Sequence, residues 1–334
     1  VELVYIATPH SHHYEHARMA LLAGKHVLCE KAFTATTWQA EELIALAREK
    51  NLFITEAIWT RYMPLSKTIN EILASGIIGT PKLLSANLCY PIGNRERLQK
   101  PELAGGALLD LGVYALNFAA MVFGTDIVKT TSCCTMLPTG VDGQNSITLQ
   151  YADGKIAILH SSCMVMSDRM GIISGEKGHL IVENINNPER VRVVTTDYKE
   201  VAVYEAPTKI TGYEYQVYAS IEAIENGWLE SPYMPHQETI RIMRQMDELR
   251  KEAEFEKVQP EVVLVKPSKG RIDEHVALVH EWLQTHPFIT LQEYANLVEV
   301  SYTTASRELK AICQNPVFGI TSKGKKQTKV WVKS

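Results

Sequence analysis

The chain has 334 residues, which at roughly 150 per domain suggests two domains or three. Hydrophobic residues make up 46% and charged residues 22%, which excludes a disordered or fibrous chain, and no run approaches the roughly 18 uncharged apolar residues of a membrane span. The net charge of −4 argues against bulk nucleic-acid binding, yet residues 261–334 carry ten Lys and Arg against seven Asp and Glu, so a basic tail follows an acidic body. Val1–Ala7 (VELVYIA) reads as a strand buried on both faces, ended by Thr8-Pro9. A helix over about His13–Ala23 follows, with Gly24 as its left-handed cap, then a short strand at His26–Cys29. Thr36 and Gln39 read as a capping box that opens an Ala-rich helix to about Lys50, and Leu52–Trp59 reads as a third strand. Strands alternating with helices predict a parallel α/β sheet over residues 1–61.

After Pro64 the pattern changes. A helix at about Leu65–Ser75 and a strand around Lys82–Tyr90 precede Gly105–Phe123, a glycine turn leading into a helix. Residues 126–207 read as strand after strand, with Asp153-Gly154 as a hairpin turn. The expectation is an antiparallel, meander-like sheet, followed by helices at about Tyr213–Asn226 and His236–Glu254. Pro260 and Pro267–Gly270 read as a linker, so the second domain spans 62–260 and a third 261–334. The six cysteines are scattered without metal-ligand spacing, the usage of a reducing cytoplasm. Val1 opens a strand with no basic segment before it, unlike a signal peptide.

Ligands of parallel α/β sheets bind at the carboxyl ends of the strands. Glu30-Lys31 lies just past such an end, where a Lys can reach a cofactor ribose or a substrate oxygen, or can simply be a surface side chain. Asp110 and Tyr114 are four apart and share one helical face. They suit positioning a hydroxyl and exchanging its proton, with a nearby cation lowering the phenol's pKa. They equally suit an Asp favoured by the helix dipole and a partly buried Tyr. Trp59 and Arg61 leave the third strand toward the same end, as substrate contacts or as packing; Arg95 and Arg97 are weaker candidates. His10, His12, His13 and His16 crowd together, but no Asp, Glu or Cys completes a ligand set, so no metal is expected.

The strings TPHSHHYEHARMALLAGKHVLCEKAF, EAIWTRYMP, GGALLDLGVYAL and ESPYMPHQETIRIMRQMDELR together resemble the glucose–fructose oxidoreductase/inositol dehydrogenase (Gfo/Idh/MocA) family, nearest its dihydrodiol dehydrogenase-like branch. The resemblance runs from Val1 to about Pro260. It implies a Rossmann sheet followed by a substrate domain, and NAD(P)-dependent oxidation of a secondary alcohol of a sugar, polyol or diol, or the reverse. By it, Lys31 matches the catalytic lysine, Tyr114 the branch's catalytic tyrosine and Asp110 the substrate-side carboxylate, with Lys31 holding Tyr114 or the substrate oxygen. Thr8, Pro9 and His13 match the segment beside the nicotinamide, with Glu30 and Lys31 completing the cofactor contacts. Ala32 stands where relatives usually have Pro. The G-x-G-x-x-G fingerprint occurs nowhere in the chain, since Gly105-Gly106 does not follow a strand of a βαβ unit. In the family it lies upstream of where Val1 begins. An N-terminal extension of two βα units, about 30 residues each, is therefore expected, and the chain as it stands is expected to bind dinucleotide poorly. The family also implies a homodimer paired through an open sheet.

In the tail, Thr290–Ile312 resembles a helix-turn-helix, with Glu299 where the turn usually has Gly, and GITSKGKKQTKVWV reads as a Lys-rich wing. That predicts a winged-helix module contacting DNA through Tyr302, Thr303, Thr304, Ser306 and Arg307, with Lys323, Lys325, Lys326 and Lys329 on phosphates. A protein-contact module is the alternative. Two functions follow: an oxidoreductase with an accessory module, or a regulator whose oxidoreductase-like domain senses a sugar or NAD(P).

Overall fold

The structure is a computed structural model and describes residues 1–255, 271–315, 318–323 and 330–333. The chain divides into two compact units, Val1–Glu256 and Lys257–Ser334.

The first unit opens with β1 (Leu3–Ile6), α1 (His10–Leu22), β2 (His26–Glu30), α2 (Thr37–Glu49) and β3 (Ile54–Ala57), forming a parallel sheet in the order β1-β2-β3. Ile6 pairs with Cys29 and Glu30 with Ala57, so the carboxyl ends lie level along one edge. In β2 and β3 both faces are covered, with Val27, Leu28, Cys29 and the whole of β3 buried; β1, expected to be buried on both faces, lies at one end of the sheet order with Tyr5 exposed and only Ile6 buried. The start of α2 differs from expectation. Thr36 is the N-cap residue, but its side chain accepts no capping bond. Asp247, far along the chain, accepts instead from the Thr37 backbone N at 2.7 Å, and Gln39 Oε1 accepts from Ala35 N.

A single 3-10 turn at Trp59–Tyr62 leads into α3 (Pro64–Ala74) and β4 (Pro81–Cys89). Then come α4 (Glu96–Gln99), a π-type turn at Leu108–Gly112 and α5 (Val113–Phe123). The strands β5 (Ile127–Met136), β6 (Asp142–Tyr151), β7 (Ile156–Ser162), β8 (Gly171–Gly175), β9 (Gly178–Glu183), β10 (Arg190–Thr195) and β11 (Glu200–Glu205) follow. Helices α6 (Glu214–Glu225) and α7 (His236–Phe255) complete the unit. The sheet is not a simple meander. Its order is β11-β10-β9-β8-β4-β7-β6-β5, with β4 inserted between β8 and β7 and parallel to β7. Alternation along the inner strands buries one face, with Leu84, Ala86 and Leu88 of β4 beside Ala157 and Leu159 of β7. Helix α5 packs on β4 and β7. This explains its composition: Pro101–Phe123 has the length and hydropathy of a membrane span, but 83% of its apolar window is buried within the protein.

The second unit contains α8 (Arg271–Thr285), β12 (Ile289–Thr290), α9 (Leu291–Leu297), α10 (Tyr302–Gln314), β13 (Ile320–Lys323) and β14 (Val330–Lys333), with sheet order β12-β14-β13. Its own core gathers Val279, Tyr294, Leu309, Ile312 and Trp331. Thr303, Thr304 and Arg307 lie on α10 and Lys323 ends β13, whereas Lys325, Lys326 and Lys329 lie outside the described residues.

Candidate active site

The level carboxyl ends of β1 and β2 open onto a cavity of about 420 Å³, within the range of small-molecule sites. Thr8, Pro9, Glu30 and Lys31 line it from the parallel sheet, Asp110, Leu111 and Tyr114 from the π turn and α5, and Leu88, Tyr90 and Asn186 from the large sheet's side.

Asp110 is the electrostatic centre. It is 3% exposed, and burial by itself raises its pKa, but Lys31 and then Arg97 override this and hold the carboxyl well below the usual carboxylate range. Lys31 Nζ donates to the Asp110 carbonyl at 2.8 Å and to its Oδ1 at 2.9 Å. Arg97 forks onto the same carboxylate at 2.8 and 3.3 Å. The backbone that presents Asp110 is held from behind, since Asp142 Oδ2 accepts from Leu108 N at 2.6 Å and from Asn145 Nδ2 at 3.0 Å. This gives Gly106 its role. At φ +108°, a Cβ there would lie 2.1 Å from Asp142 Oδ1. The glycine pair thus admits a buried cap rather than cradling phosphate.

Tyr114 is 7% exposed. Its hydroxyl accepts a hydrogen bond from Trp59 Nε1 at 3.0 Å, and Trp59 stacks on Tyr213 with ring centroids 4.2 Å apart and planes 9° off parallel. Two expectations change here. Lys31 does not reach the phenol oxygen; its Nζ lies 5.1 Å from the ring centroid, over the face. The phenol is also not acidified: burial, followed by the negative charge of Glu30, pushes its pKa well up. Glu30 itself is raised by burial, and it accepts from Tyr5 Oη.

Other candidates fall elsewhere. His13 is fully buried and lies behind the cavity, each ring nitrogen 2.8 Å from a carbonyl oxygen, of Ala32 and of Thr8. It ties the loop after β1 to the loop after β2, whose Lys31–Ala32 peptide is cis. Arg61 does not line the cavity; Asn117 and Glu238 engage its guanidinium at 2.6 and 3.0 Å. Trp59 and Arg95 are likewise not lining residues, although Trp59 backs Tyr114.

His10, weighed from the sequence only within the histidine cluster, and Tyr213, not weighed at all, also line the cavity. His10 Nδ1 lies 3.0 Å from the Ala104 carbonyl. That oxygen only accepts, so Nδ1 carries the hydrogen. Burial, reinforced by Lys31, lowers the pKa of His10 to about 4, leaving Nε2 as a neutral acceptor facing the site. Its signal was its place directly after Pro9, at the first turn of α1. Tyr213 carries no such signal, being brought in by the tertiary fold alone.

Two family profiles match the chain: "Oxidoreductase family, NAD-binding Rossmann fold" over residues 1–57 and "GFO/IDH/MocA C-terminal domain" over residues 66–181. The D-xylose 1-dehydrogenase (NADP(+)) of Hypocrea jecorina is 36% identical over 285 residues, covering 74% of this chain and 72% of that protein. The chain belongs to the GFO/IDH/MocA oxidoreductase family. The trans-1,2-dihydrobenzene-1,2-diol dehydrogenase of Homo sapiens is 32% identical over 257 residues, covering 75% of this chain and 77% of that protein. Among solved structures, a 3-ketoreductase from Actinomadura kijaniata in complex with NADP and TDP-benzene superposes with TM-score 0.69 at 26% identity, covering 75% of this chain and 78% of that one. The chain is thus an NAD(P)-dependent oxidoreductase with a Rossmann-type cofactor domain, in a family of sugar, polyol and dihydrodiol dehydrogenases.

The site fits the nicotinamide end of that cofactor. Thr8, Pro9, Glu30 and Lys31 stand at the strand ends where such a ring would be held, with a lysine cation and a neutral imidazole acceptor beside it.

Proposed function

We propose that the protein interconverts a secondary alcohol and a ketone, or a lactol and a lactone, on a sugar, polyol or dihydrodiol, with Lys31 and Tyr114 sharing the substrate oxygen. The supporting observation is the convergence of Lys31, Asp110 and Tyr114, from two separate parts of the chain, on one cavity at the carboxyl ends of parallel strands. A nicotinamide held at Thr8, Pro9, Glu30 and Lys31 would supply or take up the hydride. An ammonium has three hydrogens, and Asp110 takes two of them from Lys31, leaving one for the substrate oxygen. Because Trp59 donates to the phenol oxygen, Tyr114 turns its own hydrogen away from the indole and into the cavity. A raised pKa keeps that hydrogen on the phenol, suiting Tyr114 to deliver it to an oxygen that gains charge in reduction. Oxidation runs the same step backwards: the Tyr114 phenolate left by reduction takes the hydroxyl proton back as the hydride leaves, while Lys31 donates to the oxygen. Tyr90 and Tyr213 offer flat apolar faces, with Asn186 beside them as a polar partner for hydroxyls.

The test is an NADP-linked assay over aldoses, inositols and trans-dihydrodiols. Tyr114→Phe is expected to lower kcat by about 10²–10⁴ with KM little changed. Trp59→Phe, which keeps the phenol but loses its orientation, should show a smaller fall of about tenfold. Undiminished turnover in Tyr114→Phe would remove this residue from the mechanism.

We further infer that protomers pair through the outer face of the eight-stranded sheet, a surface treated below at the scale of the whole molecule.

A further inference from the structure

The oxidoreductase site leaves the second unit unused, and neither family profile reaches it. Its α9 and α10 are joined by the short connection Val298–Ser301. Glu299 there takes φ +52°, the left-handed conformation its glycine-like position demands. Ser301 caps α10 by accepting from Thr304 N. Two helices joined by so short a turn, followed by a hairpin, is the arrangement in which a second helix enters a DNA major groove.

The placement of charge on α10 selects the occupant. Ala305, Leu309 and Ile312 face the core. The helix has one carboxylate, Glu308, and it is turned inward. It is 7% exposed, accepts from Tyr294 Oη at 2.9 Å and lies 3.0 Å from His275 Nδ1. The exposed side carries Ser306, Arg307, Lys310 and Gln314 with no acid among them. Lys323 at the end of β13 is exposed as well. Phosphates attract such a face, and its Arg and Gln are the side chains that pair with guanine and adenine edges. A protein-binding face needs apolar anchors, and the described side chains of α10 expose no large hydrophobic residue. The 13 residues of α10 span about 20 Å, enough to lie in a groove roughly 12 Å wide.

We propose that α10 binds duplex DNA through Arg307, Lys310 and Gln314. This adds a nucleic-acid site to an oxidoreductase chain and is independent of the catalytic reading. The test is fluorescence anisotropy of the full chain with a labelled random duplex of about 20 base pairs at about 50 mM salt, then across a salt series. The expected result is binding that weakens as salt rises. The double variant Arg307→Ala, Lys310→Ala should lose at least about tenfold in affinity, with a salt slope shallower by about two. Lys199→Ala, an exposed cation of the first unit, should bind as the parent does. Both replaced residues of the double variant are exposed, so its circular dichroism should match the parent's. No binding at low salt, or a double variant that binds as tightly as the parent, overturns the proposal and returns α10 to protein contacts.

Discussion

Glu56 sits in β3 with both faces of the strand covered, and it is 1% exposed. Its Oε1 accepts from Phe33 N at 3.2 Å, while Oε2 has no hydrogen-bond partner. Burial pushes its pKa from the ordinary 4.5 up to about 7, even with Arg61 pulling the other way. Between those two values the folded protein holds a proton that the unfolded chain releases. The stabilisation is therefore complete below about pH 4.5 and is lost as pH rises through about 7. The amount is of order 3 kcal/mol at most. Glu56→Gln keeps the bond from Phe33 and carries no charge at any pH. Its thermal midpoint should vary less between about pH 5 and 7.5 than the parent's, and equal slopes in the two proteins would refute the assignment. The placement of a residue was legible where its neighbours are its neighbours in sequence: Lys31 after a strand end, or Asp110 and Tyr114 four apart, all three lining the cavity. It was hidden where burial decides. Nothing in LFITEAIW says that its glutamate loses water, or that Arg61 would turn to Asn117 and Glu238 rather than to a substrate.

At the scale of elements, the segment that presents Asp110 and Tyr114 depends on a side chain from another strand. Asp142 caps Leu108 N because Gly106 leaves room for its carboxylate. Gly106→Ala both forces a residue with a Cβ into positive φ and displaces that cap. We expect a loss of about 2–4 kcal/mol, measured as a lower urea midpoint, with turnover falling even where the protein stays folded. An unchanged midpoint would mean that the turn re-forms without the cap. Local signals found most elements. Asp153-Gly154 turns the β6–β7 hairpin, with Gly154 at φ +84°. Two things escaped. Strand alternation says which face is buried but not which strand lies alongside, so the insertion of β4 between β7 and β8 had no local mark. The cap of α2 likewise looked local at Thr36, but the acceptor is Asp247 on α7.

At the scale of the molecule, the large sheet leaves its outer face uncovered by its own unit. One row can be followed across all eight strands by pairing: Thr131, Thr148, Ile158, Ser85, Ile172, Ile181, Arg192 and Val203. All eight are at least partly exposed. Most of this row is short or β-branched, and around its one charge, Arg192, the ion pairs of Glu183 with Arg190 and Arg192 and of Arg190 with Glu205 gather at the β9–β11 end. Seven spacings of about 4.8 Å make it roughly 34 Å wide, and strands of about six residues make it roughly 20 Å tall, an area of about 680 Å², near the ~800 Å² per partner of a standard interface. A second copy presents the same face, so the inferred pairing would be self-complementary about a two-fold axis. Ile158 lies near the middle of the row and is 41% exposed. An Asp there costs the monomer little, because water already reaches the position. In a dimer it buries two like charges close to the axis, a penalty of several kcal/mol. Light scattering of the parent at tens of micromolar should therefore give twice the chain mass, and Ile158→Asp should give the chain mass with unchanged circular dichroism. A parent that scatters as a monomer, or an Ile158→Asp protein that remains a dimer, would show that this face is not where the copies meet.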